Sequence, residues 1–165
     1  MSGWFKDRDS MKNILASLFV FIALSCPLSA NTNEGIRFYN AENFSAAFLE
    51  FLRDANNGIS QAQYYLGQLF YFGRGVDVNY PEAMKWYRLA ADQGDADAQR
   101  RIGLLYDFGD GVAVNYTEAM KWYRLAADQG DAVAQRRIGN LYDFGDGVAV
   151  NYTEAMKWYR LAADQ

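Results

Sequence analysis

Apolar residues recur every three or four positions through much of the chain, which is the period of an α-helix that buries one face. The segment 96–108 carries this pattern, with Asp95 in the position of an N-cap and Gly109 in the position of a left-handed C-cap. Its apolar positions are Ala98, Ile102, Leu105 and Tyr106. The pattern predicts one helix here, covered on one side by neighbouring elements.

A second helix is predicted over residues 116–129, between a capping Asn115 and a terminating Gly130. Its apolar arc is wider and consists of Ala119, Trp122, Tyr123, Ala126 and Ala127. An arc of this width predicts neighbours on both sides, as in a helix inside a stack. We therefore expect each tryptophan to pack between its own helix pair and the next pair.

The predicted helix pair is repeated along the chain. Residues 79–114 recur as residues 115–150, an offset of 36 residues, and part of the unit recurs in residues 151–165. The two full copies differ at Pro81/Thr117, Asp97/Val133 and Leu104/Asn140. A more divergent copy begins near residue 61. Repetition at this period predicts a solenoid, in which each unit contacts only its neighbours.

The repeated unit resembles a known family of helical repeats. The residues that carry the resemblance are Ala98-x3-Ile102-Gly103-x2-Tyr106-x2-Gly109-x-Gly111-Val112, then Glu118-Ala119-x2-Trp122-Tyr123-x2-Ala126-Ala127-x2-Gly130. This pattern resembles the Sel1-like repeat (SLR) of the tetratricopeptide-like superfamily. The resemblance implies an all-α fold, a right-handed α-solenoid of antiparallel helix pairs, and use as a scaffold for protein–protein interaction.

The family's usual frame divides the chain into repeats. They span residues 59–94, 95–130 and 131–165, and the third ends one residue short of its closing glycine. Residues 31–58 resemble the shorter tetratricopeptide-like helix pair that often opens such arrays.

The last predicted helix repeats the apolar arc of an internal helix. That arc includes Ala155, Trp158, Tyr159 and Ala162. No polar capping helix follows it in the sequence, which leaves open whether the C-terminus is natural or truncated. An uncovered apolar arc predicts fraying of this helix or weak self-association through it.

The N-terminal thirty residues have the pattern of a secretory signal peptide. Basic residues at Lys6, Arg8 and Lys12 precede an apolar run over residues 14–24, and small residues lead to Ala30. The run is shorter than the roughly 18–20 residues that a membrane span needs. We therefore expect cleavage after Ala30, a periplasmic or secreted protein, and no membrane insertion after cleavage.

Two alternatives at the N-terminus stay open. Met11 also begins a compact signal sequence, so the natural start is either Met1 or Met11. The segment ending in Cys26 loosely resembles a lipoprotein processing box, and lipidation there is our second choice. The sequence does not separate a periplasmic from an extracellular location.

Composition removes most catalytic chemistry. The chain has no histidine, one cysteine and a formal net charge of −4, which excludes His-based catalysis and gives no basic surface for nucleic acid. We predict no cofactor, no metal site and no enzymatic activity. The alternative is an enzyme, since a cysteine-rich branch of the resembled family has been linked to β-lactam hydrolysis. After Ala30 this chain has no cysteine, and it has no Ser-x-x-Lys motif.

The candidate binding face lies on the first helix of each repeat, opposite its packed stripe, because two of the three differences between the copies fall there. Arginine and tyrosine at these positions favour contact with a protein partner, and we predict one that carries an acidic or carboxylate-bearing segment. The predicted partner-binding residues are Gln61, Tyr64, Gln68, Asp97, Arg100, Arg101, Leu104, Val133, Arg136, Arg137 and Asn140. A solvated face with Asp97–Arg101 pairing is the alternative. The sequence does not identify the partner.

Overall fold

The computed structural model describes residues 32–165. The predicted signal peptide, the lipidation site at Cys26 and the alternative start at Met11 lie outside the described residues. Within residues 32–165 the structure consists of eight α-helices without a β-strand, which confirms the predicted all-α class. They are α1 Thr32–Asn40, α2 Phe44–Asn56, α3 Ser60–Phe72, α4 Tyr80–Ala91, α5 Ala96–Phe108, α6 Tyr116–Ala127, α7 Ala132–Phe144 and α8 Tyr152–Ala163.

The predicted caps start and stop the repeated helices. The Asp95 carboxylate accepts a hydrogen bond from the Ala98 amide at 2.8 Å, and the Asn115 side chain accepts one from the Glu118 amide at 3.0 Å. Gly109 ends α5 with a φ of 78° in the left-handed region. The second helix α6 ends at Ala127, two residues before the predicted end, and a turn follows it.

Each first helix packs closely on the second helix of its own repeat at a mid-helix glycine. A Cβ placed on Gly103 would lie 2.5 Å from the Tyr123 ring, and one on Gly139 would lie 2.5 Å from the Tyr159 ring. The same approach joins Gly67 to Tyr87 and, in the N-terminal pair, Gly35 to Phe51. Only glycine leaves room for an aromatic ring at this distance.

The cores lie between successive repeats. One cluster joins the second helix α4 to the next first helix α5, and an equivalent cluster joins α6 to α7. Trp122 of α6 packs on the α4–α5 cluster, and Trp158 of α8 packs on the α6–α7 cluster. The expectation that each tryptophan packs toward the following pair is therefore wrong, because the ring points back toward the preceding repeat.

The apolar arc of α8 is covered more than predicted, with Ala155 buried and Trp158, Tyr159 and Ala162 half-buried. Trp158 packs on the preceding cluster. The large apolar side chains that α8 exposes lie outside this arc and are Tyr152, Met156 and Leu161. In α6, which has the same sequence, the residue equivalent to Met156 is Met120, and it is buried against α7. Self-association through α8 stays a prediction.

The direction of tryptophan packing can be tested with Trp122→Ala. Removing the half-buried ring should cost roughly 2–4 kcal/mol, somewhat less than a fully buried tryptophan. Amide hydrogen exchange followed by NMR should accelerate in α4 and α5, while Trp158→Ala should instead accelerate exchange in α6 and α7. Faster exchange in α7 after Trp122→Ala, with α4 unchanged, would contradict this packing.

Candidate functional site

The first helices α3, α5 and α7 carry all eleven predicted binding residues, but the structure exposes only some of them. Gln61, Asp97, Val133 and Arg136 are exposed. Five are half-buried, namely Arg100, Arg101, Leu104, Arg137 and Asn140. Tyr64 and Gln68 are buried, with 9% and 8% of their surfaces exposed. The face that a partner can reach is therefore narrower than the predicted set.

Arg100 and Arg136 occupy equivalent positions but have different surroundings. The Arg100 Nε lies 2.8 Å from Asp131 Oδ2 of the next repeat, and its guanidinium also pairs with Asp97. Burial lowers the pKa of Arg100, and the hydrogen bonds to Asp131 and Asp97 outweigh that effect and raise it. In α7 Val133 replaces Asp97, so Arg136 has no acid one turn before it, and the position equivalent to Asp131 would be 167, beyond Gln165.

The neighbouring arginines stack on phenylalanines of the preceding first helix. The Arg101 guanidinium lies 5.4 Å from the Phe72 ring centre, and the Arg137 guanidinium lies 4.9 Å from that of Phe108. Phe72, Phe108 and the equivalent Phe144 are exposed by 42%, 55% and 71%. These phenylalanines were missed by sequence reasoning, although their spacing of 36 residues just before a C-cap glycine could have indicated a surface role.

The tyrosines that pack on the glycines place their hydroxyls beside the same face. The Tyr123 hydroxyl donates to Asp107 Oδ2 at 2.8 Å, and Arg137 Nη1 lies 3.8 Å from that oxygen. Burial, followed by the charge of Asp107, raises the pKa of Tyr123 well above its usual range. In the last repeat the Tyr159 hydroxyl donates to Asn140 at 2.9 Å and also lies 3.2 Å from Asp143.

Leu104 and Asn140, the second variable pair on the first helices, face inward. Leu104 packs on the α6–α7 cluster, while Asn140 accepts the hydrogen bond from Tyr159. The difference between Leu104 and Asn140 therefore alters contacts between helices. Of the two variable pairs, only Asp97/Val133 lies on the exposed face.

Two further findings concern other kinds of site. No group of His, Cys, Asp or Glu side chains within the described residues is arranged to hold a metal ion. Among the helices from α1 to α8, none has the length and apolar character needed to cross a bilayer.

Comparison with known proteins gives consistent matches. The family model described as Sel1 repeat matches residues 60–95, 96–131 and 132–165. The crystal structure of a Sel1 repeat protein from Oxalobacter formigenes is 40% identical with a TM-score of 0.76, over 81% of this chain and 55% of that one. A search of the curated proteins gives no match.

A second solved structure is similar over the same share of the chain. It is c5321, a protective antigen present in uropathogenic Escherichia coli strains displaying an SLR fold, at 36% identity and a TM-score of 0.77. The match covers 81% of this chain and 29% of c5321. The present chain therefore spans about half of one relative and under a third of the other. These matches confirm the predicted helical repeat solenoid.

The unequal roles of the two equivalent arginines lead to a matched pair of substitutions. Arg100→Ala should lower the free energy of unfolding by about 1–3 kcal/mol, because it leaves the half-buried Asp131 carboxylate without its cation. Arg136→Ala should change it by no more than about 0.5 kcal/mol, as an exposed side chain does. Urea unfolding followed by circular dichroism measures both, and equal losses would contradict the assignment.

Proposed function

This chain belongs to the Sel1 repeat family, and on that premise we propose that it is an exported scaffold that binds a protein partner through a concave surface lined by its first helices. Sel1 repeats are helical scaffolds that typically mediate protein–protein interaction. The export part of the proposal is supported by the signal-peptide pattern before Ala30.

The observation that carries the proposal is an exposed arginine beside an exposed apolar side chain on α7. Arg136 and Val133 are both exposed, and Val133, which replaces the acid Asp97 of α5, lies one turn before Arg136. Its counterpart Arg100 shows what such a side chain does here when acids are available, since it binds two of them. An exposed arginine beside an apolar side chain is typical of the anchoring positions of protein interfaces.

The neighbouring surface supports an acidic partner with apolar groups. Arg137 extends from the same helix over Phe108, and both side chains reach solvent. Stacking on Phe108 and the charge of Asp107 hold the Arg137 guanidinium in place, so Arg136 is the cation of α7 that remains for a partner carboxylate. We propose that a partner segment with an acidic side chain next to an apolar one lies across Arg136, Val133 and Phe108.

The enzymatic alternative is not supported by the residues on which the resembled branch relies. The cysteine-rich branch that has been linked to β-lactam hydrolysis relies on disulfide-linked helix pairs, and after Ala30 this chain has no cysteine and no histidine. A scaffold needs only the exposed side chains described above.

The proposal is tested by affinity capture with mass spectrometry from the cell envelope and the culture supernatant. The wild-type protein is compared with Arg136→Glu, which reverses the charge of the exposed arginine, and with Lys121→Glu, an equal charge reversal on the second helix α6. Arg100 is left unchanged because its ion pair with Asp131 joins two repeats. We expect a protein that binds the wild type and Lys121→Glu but is lost from Arg136→Glu.

Circular dichroism and thermal melting of both variants should match the wild type. A partner that stays on Arg136→Glu but leaves Lys121→Glu would assign binding to the second helices instead. If no protein is captured by the wild type above a bead control, the scaffold proposal is wrong.

A further inference from the structure

The three repeats are not equivalent at the place where the packed tyrosine meets the first-helix face. In the second repeat, Asp107 lies between the Tyr123 hydroxyl, at 2.8 Å, and Arg137 Nη1, at 3.8 Å. The carboxylate therefore satisfies a buried hydroxyl and compensates an arginine of the next repeat. This arrangement serves as the reference for the first repeat.

In the first repeat a tyrosine stands where the second repeat has its acid. Tyr71 is the equivalent of Asp107, Tyr87 of Tyr123, and Arg101 of Arg137, each 36 residues earlier. The Tyr71 hydroxyl instead donates a hydrogen bond to Asp110 Oδ2 at 2.7 Å. The first repeat consequently keeps the tyrosine and the arginine but lacks the carboxylate that joins them.

The missing carboxylate leaves the Tyr87 hydroxyl and the Arg101 Nε without an acceptor, although Arg101 also interacts with the Tyr64 hydroxyl. The Tyr87 side chain is 0% exposed, and its hydroxyl has no hydrogen bond in the structure. Arg101 forms no ion pair within residues 32–165, and its Nε also lacks an acceptor. The Arg137 Nε lacks one too, but Asp107 compensates the charge of that arginine. Buried donors without an acceptor are rare and unfavourable, so this pair is a place where an acceptor would be stabilised.

The surroundings of this pair fit an anion. Two acids of the second repeat are already engaged, Asp97 with Arg100 and Asp110 with Tyr71. Burial raises the pKa of the Tyr87 and Tyr64 hydroxyls. The positive charge of the nearby Arg101 acts in the opposite direction on both. Phe72 lies under the guanidinium and fixes its plane, as Phe108 does for Arg137.

We propose that the junction of the first and second repeats is a carboxylate-binding subsite, in which Arg101 and the Tyr87 hydroxyl hold an aspartate or glutamate side chain of the partner protein. The ligand carboxylate takes the role that Asp107 has in the second repeat. It reaches the half-buried Arg101 from the surface beside the exposed Phe72. The proposal rests on the proposed function only for the source of the carboxylate.

The subsite can be tested on the whole protein with sodium acetate as the probe. Acetate is titrated while the arginine Nε–H resonances are followed by nitrogen-15 NMR, with sodium chloride at the same ionic strength as the reference. We expect a saturable shift of the Arg101 resonance with half-saturation in the millimolar range, as for a single small ion. Arg137 is the internal control, because it stacks in the same way but already has a carboxylate.

A variant provides the second arm of the test. Tyr71→Asp installs the acid of the second repeat and should abolish the acetate-dependent shift of Arg101, with circular dichroism to show that the variant is folded. Equal shifts of Arg101 and Arg137, or no shift beyond that in sodium chloride, would overturn the proposed carboxylate-binding subsite. This outcome is separate from the scaffold proposal, which fails only if capture fails.

Discussion

The close approach of an aromatic ring to a mid-helix glycine organises the whole array. In every described helix pair the ring of the second helix lies where the Cβ of the first-helix residue would be, at Gly35, Gly67, Gly103 and Gly139. The approach brings the two helices of a pair together and leaves the other faces free for the clusters between repeats. It also places the Tyr123 hydroxyl at the first-helix face, where the Asp107 carboxylate accepts its hydrogen bond. Packing and candidate site therefore depend on the same contact.

Much of the fold could be predicted because its determinants are local. An N-cap such as Asp95 and a left-handed glycine such as Gly109 act within a few residues of the helix that they bound, and the periodicity reports one buried face. The direction in which Trp122 packs could not be predicted this way. A wide apolar arc gives the number of covered sides of a helix but does not say which neighbour lies on which side.

The candidate site was harder to predict because its residues interact over a full repeat. Arg100 is held by Asp131, which is 31 residues away, so the sequence alone gave Arg100 and Arg136 the same predicted binding role. Asn140 and Leu104 vary between the copies for reasons of packing, although variation on a repeated surface also suits a binding role. Tyr71 takes the position of an acid in the first repeat. The consequence could be recognised only from the structure, in which the equivalent Asp107 contacts both Tyr123 and Arg137.

The measurement that tests the central contact most directly is the unfolding free energy of Gly103→Ala. At an unhindered mid-helix position this change stabilises by up to about 1 kcal/mol, because alanine is the better helix former. Here the added Cβ would meet the Tyr123 ring at 2.5 Å, so we predict a net loss of about 1–3 kcal/mol by urea unfolding, reduced when Tyr123→Leu is combined with it. A gain in stability from Gly103→Ala alone would contradict the account.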